Sequence, residues 1–533
     1  MPLKMERLNR NRAAVALAVF SFIMIAAMAA IFMWEPESPV SPRKRGVIGV
    51  IEIQGVIEDT EYAGTLSAAV REAIEDDTVR AVVLEIDSPG GTAYLVEQVY
   101  LDLLELGEKK PVVASASMAL SGGYYLAVTA EQIYAQPTSM VGNVGVIGVG
   151  PGFLVPSEST FESGPQKITG FSPALFPFNI TKALDSFASS VKEGRGARLT
   201  MSLSELKRGG VYLGGEAVNQ GLIDGIGSRQ SAIGYAAQEA GLETYTVESL
   251  VERVADATVN VSQSYPSIGE LNEANPPPAL YYLYMPRDVV MENGFEEPEA
   301  NVTEEPKTIG QVVVDRSHGN RVSPYVLDYI SAELAKRGSF VGYGGDWDRV
   351  EGALGNATCL FIVAPTKAYT YAEYTAVKEF VEGGGMLVLI SDASVEFLDT
   401  SVMQGAINSL ANRWGLHYGK GYLYNMVNFH GFYRNVKVTQ FRDTFLTEGL
   451  GELVFFTSTY LSATDADAAY ASYSTFNSVT EQSRVYATVS VIESGNSTVV
   501  AFADATWLME PWIYAGDNQR LAMNLVEAIA ELK

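Results

Sequence analysis

Cysteine is almost missing: Cys359 is the single one among 533 residues. That excludes an intramolecular disulfide framework and any cysteine-rich zinc or iron–sulfur site. Histidine is nearly as scarce, with only His318, His417 and His430. A Ser-His-Asp triad is therefore impossible in the first half of the chain. Positive charge is short as well, 37 Lys and Arg against 63 Asp and Glu for a net charge of −26. Such acidity disfavours nucleic acid as a partner and serves solubility. The 49 glycines are an ordinary share, so collagen-like and low-complexity architectures are excluded too. At about 100–200 residues per domain, the length predicts two to four domains with ample core.

Long apolar runs are absent except for one. Ala13–Trp34 carries no charge and includes Val15, Leu17, Phe20, Ile23, Ile25 and Ile31, long enough to cross a bilayer once as a helix. Lys4, Arg7, Arg10 and Arg12 precede it, and Arg43, Lys44 and Arg45 follow. The bias of four against three places residues 1–12 in the cytoplasm and the bulk outside. A cleaved signal peptide is the competing reading, but signal h-regions run only about 7–15 residues. Asn-x-Ser/Thr triplets at Asn179, Asn260, Asn301, Asn356 and Asn496 fit an exported chain.

Residues 46–249 alternate strand and helix patterns. Val47–Val56, Ala81–Ile86 and Pro111–Ser115 read as strands, and short buried runs of this kind suit a covered sheet. Ala93–Leu106 reads as a helix with Leu95, Val99, Leu103 and Leu106 on one stripe. Further helices are expected at Thr181–Val191, Leu203–Arg208 and Gln230–Ala240. Residues 250–307 read as an acidic linker: Glu270–Gly310 holds nine acidic residues, two basic ones and six prolines. That composition builds no core of its own, although Leu280, Tyr281, Tyr282 and Tyr284 are able to dock on a neighbour. Residues 308–533 form a second α/β unit. Its strands are expected at Gln311–Val314, Cys359–Val363, Met386–Ile390, Leu453–Phe456, Val485–Ile492 and Thr498–Ala503. Helices are expected at Tyr371–Val381, closed by Gly383–Gly385, and at Asn518–Leu532. The spacing suggests a flavodoxin-like parallel sheet.

The chemistry concentrates after two apolar strands of the first unit. One ends in Asp87-Ser88-Pro89-Gly90-Gly91. The other leads into Ala119-Leu120-Ser121-Gly122-Gly123-Tyr124-Tyr125. A serine at a strand-to-helix junction projects its hydroxyl from a tight turn, and the N–H groups that follow lie at the positive end of a helix dipole. Two glycine turns are able to aim two donors at one oxygen, or they simply end strands. Without histidine, the conventional base left for serine is lysine. Lys109 and Lys110 sit in a turn before a strand, and Lys182, Lys192 and Lys207 lie on helices beside polar residues. Lys167 sits in an apolar, glycine-punctuated stretch, Ser163–Phe171, with no adjacent charge. A neutral amine base needs such a desolvated setting. The residues alone leave its role open.

At this point the chain resembles a known family. The Asp87–Gly91 loop, Ser121-Gly122-Gly123-Tyr124-Tyr125, Gly142-Asn143-Val144-Gly145-Val146-Ile147-Gly148, and Gly215-Glu216-Ala217 through Gly221-Leu222-Ile223-Asp224 occur in the order found in signal peptide peptidase A. These are membrane-anchored Ser/Lys peptidases of the Clp-protease/crotonase-like fold. The resemblance implies Ser121 as nucleophile, Lys167 as general base, and the backbone N–H groups of Gly91 and Gly122 as the oxyanion hole. It also implies closed homo-oligomeric rings and no metal or organic cofactor. Gly142-Asn143 stands where the family usually has Gly-Ser, and the stretch after Lys167 is rich in Phe and Pro, which leaves substrate preference open. The second unit resembles the class I glutamine amidotransferase-like fold without its chemistry. Cys359 opens an apolar strand rather than an elbow and reads as core. The loop Ser391-Asp392-Ala393-Ser394 has no cysteine, and Asp315–Asn320 reads as a capped polar turn at a place where parallel sheets also bind ligands.

The expectation is therefore an α/β, single-pass membrane serine endopeptidase with its soluble parts outside the cytoplasm. It acts on peptides such as remnant signal peptides or on membrane-proximal protein segments. The alternative is a non-catalytic membrane scaffold that uses a peptidase fold for binding.

Overall fold

The computed structural model describes residues 19–25, 28, 45–150, 166–167, 170–172, 175–255, 265–275, 279–285, 311–320, 324–393, 400–463 and 465–532. Of the apolar run 13–34, the described residues are helical, with Phe20, Phe22 and Ile25 exposed. The rest of that run lies outside the described residues. Among the described residues no helix is long and apolar enough to cross a membrane.

The first unit is a largely parallel sheet whose buried, β-branched strands are covered on both faces. Its strands are β1 (Arg45–Ile57), β2 (Val79–Thr92), β3 (Val112–Leu120), β4 (Gln132–Gly142), β5 (Ile147–Val149), β6 (Val211–Leu213), β7 (Gly225–Ile226), β8 (Thr244–Ser249) and β9 (Ala279–Leu283). The strands β8, β1, β2, β3 and β4 lie side by side in parallel. The helices are α1 (Thr60–Glu75), α2 (Ala93–Gly107), α3 (Gly122–Ala127), α4 (Phe176–Arg195) and α5 (Arg229–Glu239), with shorter turns between them. The side chain of Asp59 caps α1 by accepting from Tyr62 N, and Leu66, Ala69, Val70 and Ala73 form its buried stripe. Helices α1 to α4 share one core with Ile51, Leu84 and Ala114. On the other face, α5 packs Ala232, Ile233 and Ala236 against Ile48, Val83 and Val113. Covering both faces is what lets these strands be apolar throughout.

The stretch read as a linker contributes structure to this unit. Leu250–Val254 and Ile268–Ala274 are short helices, and Ala279–Leu283 is a sheet strand with Tyr281 and Tyr282 fully buried. Prolines and acids dominate the average composition, but a five-residue apolar run is enough for a strand once distant edges supply its backbone partners. Residues 256–264, 276–278 and 286–310 lie outside the described residues.

In the second unit, β10 (Val312–Asp315), β11 (Val341–Gly344), β12 (Cys359–Val363), β13 (Met386–Ile390), β14 (Asn435–Phe441), β15 (Leu453–Phe456), β16 (Asp467–Ala471), β17 (Ala487–Ser494) and β18 (Ser497–Phe502) build the principal sheet. Parallel pairing runs β11-β10-β12-β13-β18. Numbered along the parallel strands this is 2-1-3-4-5, the flavodoxin-like order. The sheet then continues antiparallel through β17, β16, β14 and β15. That extension lies outside the flavodoxin-like expectation, because strands such as Asn435–Phe441 alternate with polar residues. Helices α6 (Asp328–Lys336) and α10 (Asn518–Glu531) cover one face, and α7 (Trp347–Leu354), α8 (Tyr371–Glu382) and α9 (Thr400–Ala411) the other. A capping box of Thr370 and Glu373 starts α8, and Gly383 ends it.

The two units touch along α4 and the turn after Leu206. Phe178 meets His430 edge to face at 5.1 Å, and Thr181 Oγ1 donates to Gly431 O. Arg208 donates to the Tyr424 hydroxyl at 2.9 Å and lies 5.5 Å from the Phe476 ring centre.

Candidate active site

Strand β3 ends at Leu120, and the next residue reverses the chain. Ser121 has φ +50° and ψ −115°, a conformation that side-chain-bearing residues rarely adopt, and α3 begins at Gly122. A conformation of this kind costs on the order of 1–3 kcal/mol and persists only where the surroundings over-determine it. Here they do. Ser121 N donates to Gly142 O at 2.9 Å, and Tyr125 N donates back to Ser121 O at 2.9 Å. The two tyrosines of the motif act as anchors. The Tyr124 hydroxyl donates to Leu222 O at 2.7 Å, while the Tyr125 ring packs against Tyr100, Phe187 and Tyr282. The Ser121 side chain does not cap the helix that it opens, and the residue is 1% exposed.

The second glycine pair lies against this serine turn, and it is not a loop as the pattern after Ile86 suggests: β2 runs on through Asp87–Thr92, so Gly90 and Gly91 are ladder residues at the end of a strand. A methyl group built on Gly90, at φ +105°, would fall 2.6 Å from Gly122 N, and one built on Gly122 would fall 3.0 Å from Gly90 Cα. Only two glycines permit that approach. This end of β2 is tied down by Ser88, whose hydroxyl donates to Gly55 O at 2.6 Å and accepts from Gly90 N at 3.2 Å. Gly90, Gly91, Ser121 and Gly122 thus come together at the carboxyl ends of β2 and β3.

The loop behind the serine is held by Asn143, itself at φ +53°, whose N and Nδ2 donate to Gly210 O and Gly209 O at 2.7 and 2.8 Å. A buried ion pair fixes the wall beyond it. Arg195 Nη1 and Nη2 grip Asp224 at 2.9 and 2.8 Å, and Arg195 Nε donates to Gly221 O at 2.8 Å. Burial by itself would raise the Asp224 carboxyl, but the Arg195 hydrogen bonds and charge outweigh it and hold the group below the usual carboxylate range.

Lys167 stands apart. It occupies an exposed turn, and among the described residues it makes no hydrogen bond to Ser121. Other lysines are engaged elsewhere: Lys109 with Glu105, Lys207 with Asp185, and Lys110 with the carbonyls of Ala73 and Asp76.

In the second unit, Cys359 is buried in β12 and burial pushes its thiol far above the ordinary value. The Asp315–Asn320 turn closes on itself. Asp315 accepts from Ser317 Oγ at 2.6 Å and from the Tyr369 hydroxyl, and its Oδ2 lies 2.8 Å from His318 Nδ1. The His318 ring stacks on Tyr369 at 3.7 Å. Among the described residues no group of three or more His, Cys, Asp or Glu is arranged to hold a metal ion.

Sequence reasoning expected Leu280, Tyr281, Tyr282 and Tyr284 to dock on a neighbour but missed that Tyr282 meets Tyr125 and Phe187, and missed its hydrogen bond to Glu97. The only trace of these contacts in the sequence is the alternation Leu280, Tyr282, Tyr284.

Comparison with known proteins is consistent with this geometry. Residues 105–154, which contain Ser121, match the profile described as Peptidase family S49. Protease 4 of Haemophilus influenzae is 32% identical over 222 residues, 36% of this chain and 34% of that protein. The chain thus spans about a third of that relative's length. The protease-named protein slr0021 of Synechocystis is 33% identical over 225 residues, 39% of this chain and 80% of the relative. A chloroplastic serine protease SPPA of Arabidopsis thaliana is 29% identical over 209 residues, 36% of this chain and 30% of that protein. Likeness along four-fifths of a whole relative is likeness of a domain rather than of one motif, and on it the chain belongs to peptidase family S49.

Proposed function

We propose that the chain is a serine endopeptidase in which Ser121 Oγ attacks a peptide carbonyl. Lys167 accepts the hydroxyl proton and returns it to the leaving amine. The N–H groups of Gly91 and Gly122 hold the tetrahedral oxyanion, and water then releases the acyl group by the same route. All of these steps use protein groups and water. The observation that carries the reading is the strained serine at the end of β3, set against Gly90 and Gly91 of β2 in a unit that has no histidine. A serine projected from a strained strand-to-helix turn is the arrangement nucleophilic serines use on other α/β sheets.

The exposure of Lys167 bears on assembly. A lysine base has to be neutral, and desolvation by a neighbouring subunit supplies that condition where a single chain does not. We therefore read the working enzyme as a closed homo-oligomer, in which one repeated heterologous contact leaves no unpaired surface. Residues 13–34 serve as a single membrane anchor, with the soluble parts outside the cytoplasm. Substrates are peptides or membrane-proximal protein segments, remnant signal peptides among them. Residues 308–533 serve binding or assembly as an amidotransferase-like unit without its catalytic cysteine.

The test is a pair of substitutions. Ser121→Ala and Lys167→Ala should each lower kcat/KM by about a thousandfold or more, as removal of one member of a catalytic unit does, while the thermal transition stays in place. Near-normal turnover in Lys167→Ala with loss in Lys182→Ala would move the base to Lys182. Failure of an active-site-directed fluorophosphonate to label Ser121 would favour a binding scaffold.

A further inference from the structure

Strand β9 lies in an unusual place. Up to the pair Ser88 and Ala119, β3 is the neighbour of β2 on this side. Beyond it β3 stops to make the serine turn, and β9 fills the vacated lane. It pairs antiparallel with β2, Gly90 opposite Leu283, Gly91 opposite Tyr282 and Thr92 opposite Tyr281. On its other side it pairs antiparallel with β5, Ile147 opposite Tyr281, Gly148 opposite Leu280 and Val149 opposite Ala279. Tyr284 N donates to Pro89 O at 2.8 Å. By the alternation of an antiparallel ladder, Gly91 and Tyr282 are the next hydrogen-bonded pair, with the Gly91 N–H aimed at Tyr282 O. That same carbonyl oxygen is the nearest atom to a methyl group built on Gly90, at 1.9 Å, and to one built on Gly122, at 2.8 Å. One peptide carbonyl therefore sits where the end of β2 and the serine turn converge, beside Ser121.

The side chains follow the strand period. Tyr282 and Leu280 face the main core, while Tyr281 and Leu283 pack with Val56 and Leu271 on the opposite face. The Tyr282 ring lies 5.3 Å from Tyr125 and 5.0 Å from Phe187, and its hydroxyl donates to Glu97 Oε1 at 2.8 Å. An extended segment that adds to two sheet edges and sinks alternate side chains into pockets is held as strand-adding peptides are held.

We propose that Ala279–Leu283 is a built-in substrate mimic. It occupies the peptide groove, presents the Tyr282–Leu283 bond to Ser121, and marks the pocket of Glu97, Tyr125 and Phe187 as the one that receives an aromatic residue, tyrosine above all, on the acyl side of the cleaved bond. The proposal rests on Ser121 being the nucleophile. An outside peptide has to displace the strand, so its apparent affinity is reduced by the fraction of chains in which the groove is open.

The full-length chain in detergent tests this with two probes: a fluorophosphonate that labels Ser121, and a quenched peptide of the sequence Ala279–Met285. The peptide should be cut at the bond equivalent to Tyr282–Leu283. Replacing its second tyrosine by alanine should lower kcat/KM at least tenfold, and by phenylalanine severalfold, since Glu97 then loses its donor. In the chain itself, Tyr282→Ala should speed labelling of Ser121 at least tenfold and lower KM for the peptide. Tyr282→Phe, which keeps the packing, should do so severalfold. Normal labelling of Ser121 at one rate in wild type and both variants, or cutting indifferent to the second tyrosine, overturns the mimic alone. No labelling and no turnover in any chain rejects the serine assignment and the mimic with it.

Discussion

Replacing Gly90 by alanine examines the geometry of the site through one methyl group. At φ +105° the new side chain is strained wherever it points, and it would fall 1.9 Å from Tyr282 O and 2.6 Å from Gly122 N. Both are backbone atoms, so no side chain is free to swing away. Either β9 leaves the edge of β2 or the serine turn shifts. Strain of this type costs on the order of 1–3 kcal/mol. Breaking the two bonds exchanged by Gly91 and Tyr282, with that of Tyr284 to Pro89, adds about 1 kcal/mol each at most. A loss of roughly 3 kcal/mol is expected, which lowers the transition of a domain this size by about 6–12 °C. The control is Gly64→Ala in α1, where a methyl group meets nothing within 4 Å. A helix-interior glycine costs about 0.5–1 kcal/mol relative to alanine, so this variant should melt slightly higher than wild type. Calorimetry of both variants, with peptide turnover measured on the same samples, checks the pair. Gly90→Ala melting within about 1 °C of wild type, with unchanged turnover, would refute the close approach of β2 and the serine turn.

Four further outcomes follow. Arg195→Met leaves the buried Asp224 with the half-exposed Arg198 and the Ile133 N–H, and should cost about 3 kcal/mol in urea unfolding at neutral pH. Asp224 has a lowered folded-state pKa, so its contribution is full above the ordinary carboxylate value near 3.9 and is lost as pH falls through the lower folded value; the stability gap between wild type and Asp224→Asn should therefore close below about pH 4. Cys359 should resist thiol reagents in the native chain, and Cys359→Ala should leave peptide turnover unchanged, whereas rapid native labelling would contradict its burial in β12. Mixing Ser121→Ala with Lys167→Ala subunits after dissociation should restore some turnover, and mixed particles verified by mass that stay inactive would place both residues of each site in one chain.

What was legible in the sequence is what local pattern controls. The alternation of apolar runs and amphipathic stripes located β1, α2, α8 and α10 within a few residues and the starts of β2 and β3, because burial on both sheet faces and helix capping act over short distances; β2 and β3 run on to Thr92 and Leu120, beyond the expected ends at Ile86 and Ser115. The serine turn was visible because a glycine pair must follow a strand that is to reverse so tightly. In the antiparallel half of the second sheet the apolar runs Leu453–Phe456 and Val485–Ile492 were legible as strands, but Asn435–Phe441 and Asp467–Ala471 were not, since Asn435–Phe441 alternates with polar residues and finds partners 15 to 35 residues away. The role of Ala279–Leu283 was hidden for the same reason. Its neighbours in sequence are prolines and acids, and its neighbours in space are Gly90–Thr92 and Ile147–Val149. For Lys167 the local reading was a desolvated residue, yet the turn is exposed in the single chain. Apolar sequence neighbours do not desolvate a side chain unless something packs over it.

A groove that binds peptide by strand addition has a physical difficulty when it is empty. The edges at Gly90–Thr92 and Ile147–Val149 then present unpaired N–H and C=O groups in an otherwise buried sheet, which favours pairing with any extended chain. Strand β9 satisfies those groups from within the molecule. A substrate that replaces it regains nearly the same backbone bonds, so the exchange is close to neutral in hydrogen bonding. Discrimination then falls to what differs between segments, namely the side chains that enter the pocket of Tyr125, Phe187 and Glu97. By this reasoning the glycines that let the end of β2 and the serine turn approach each other, the strained serine and the strand beside them form one device. Its backbone accepts any extended peptide, and its aromatic pocket chooses among them.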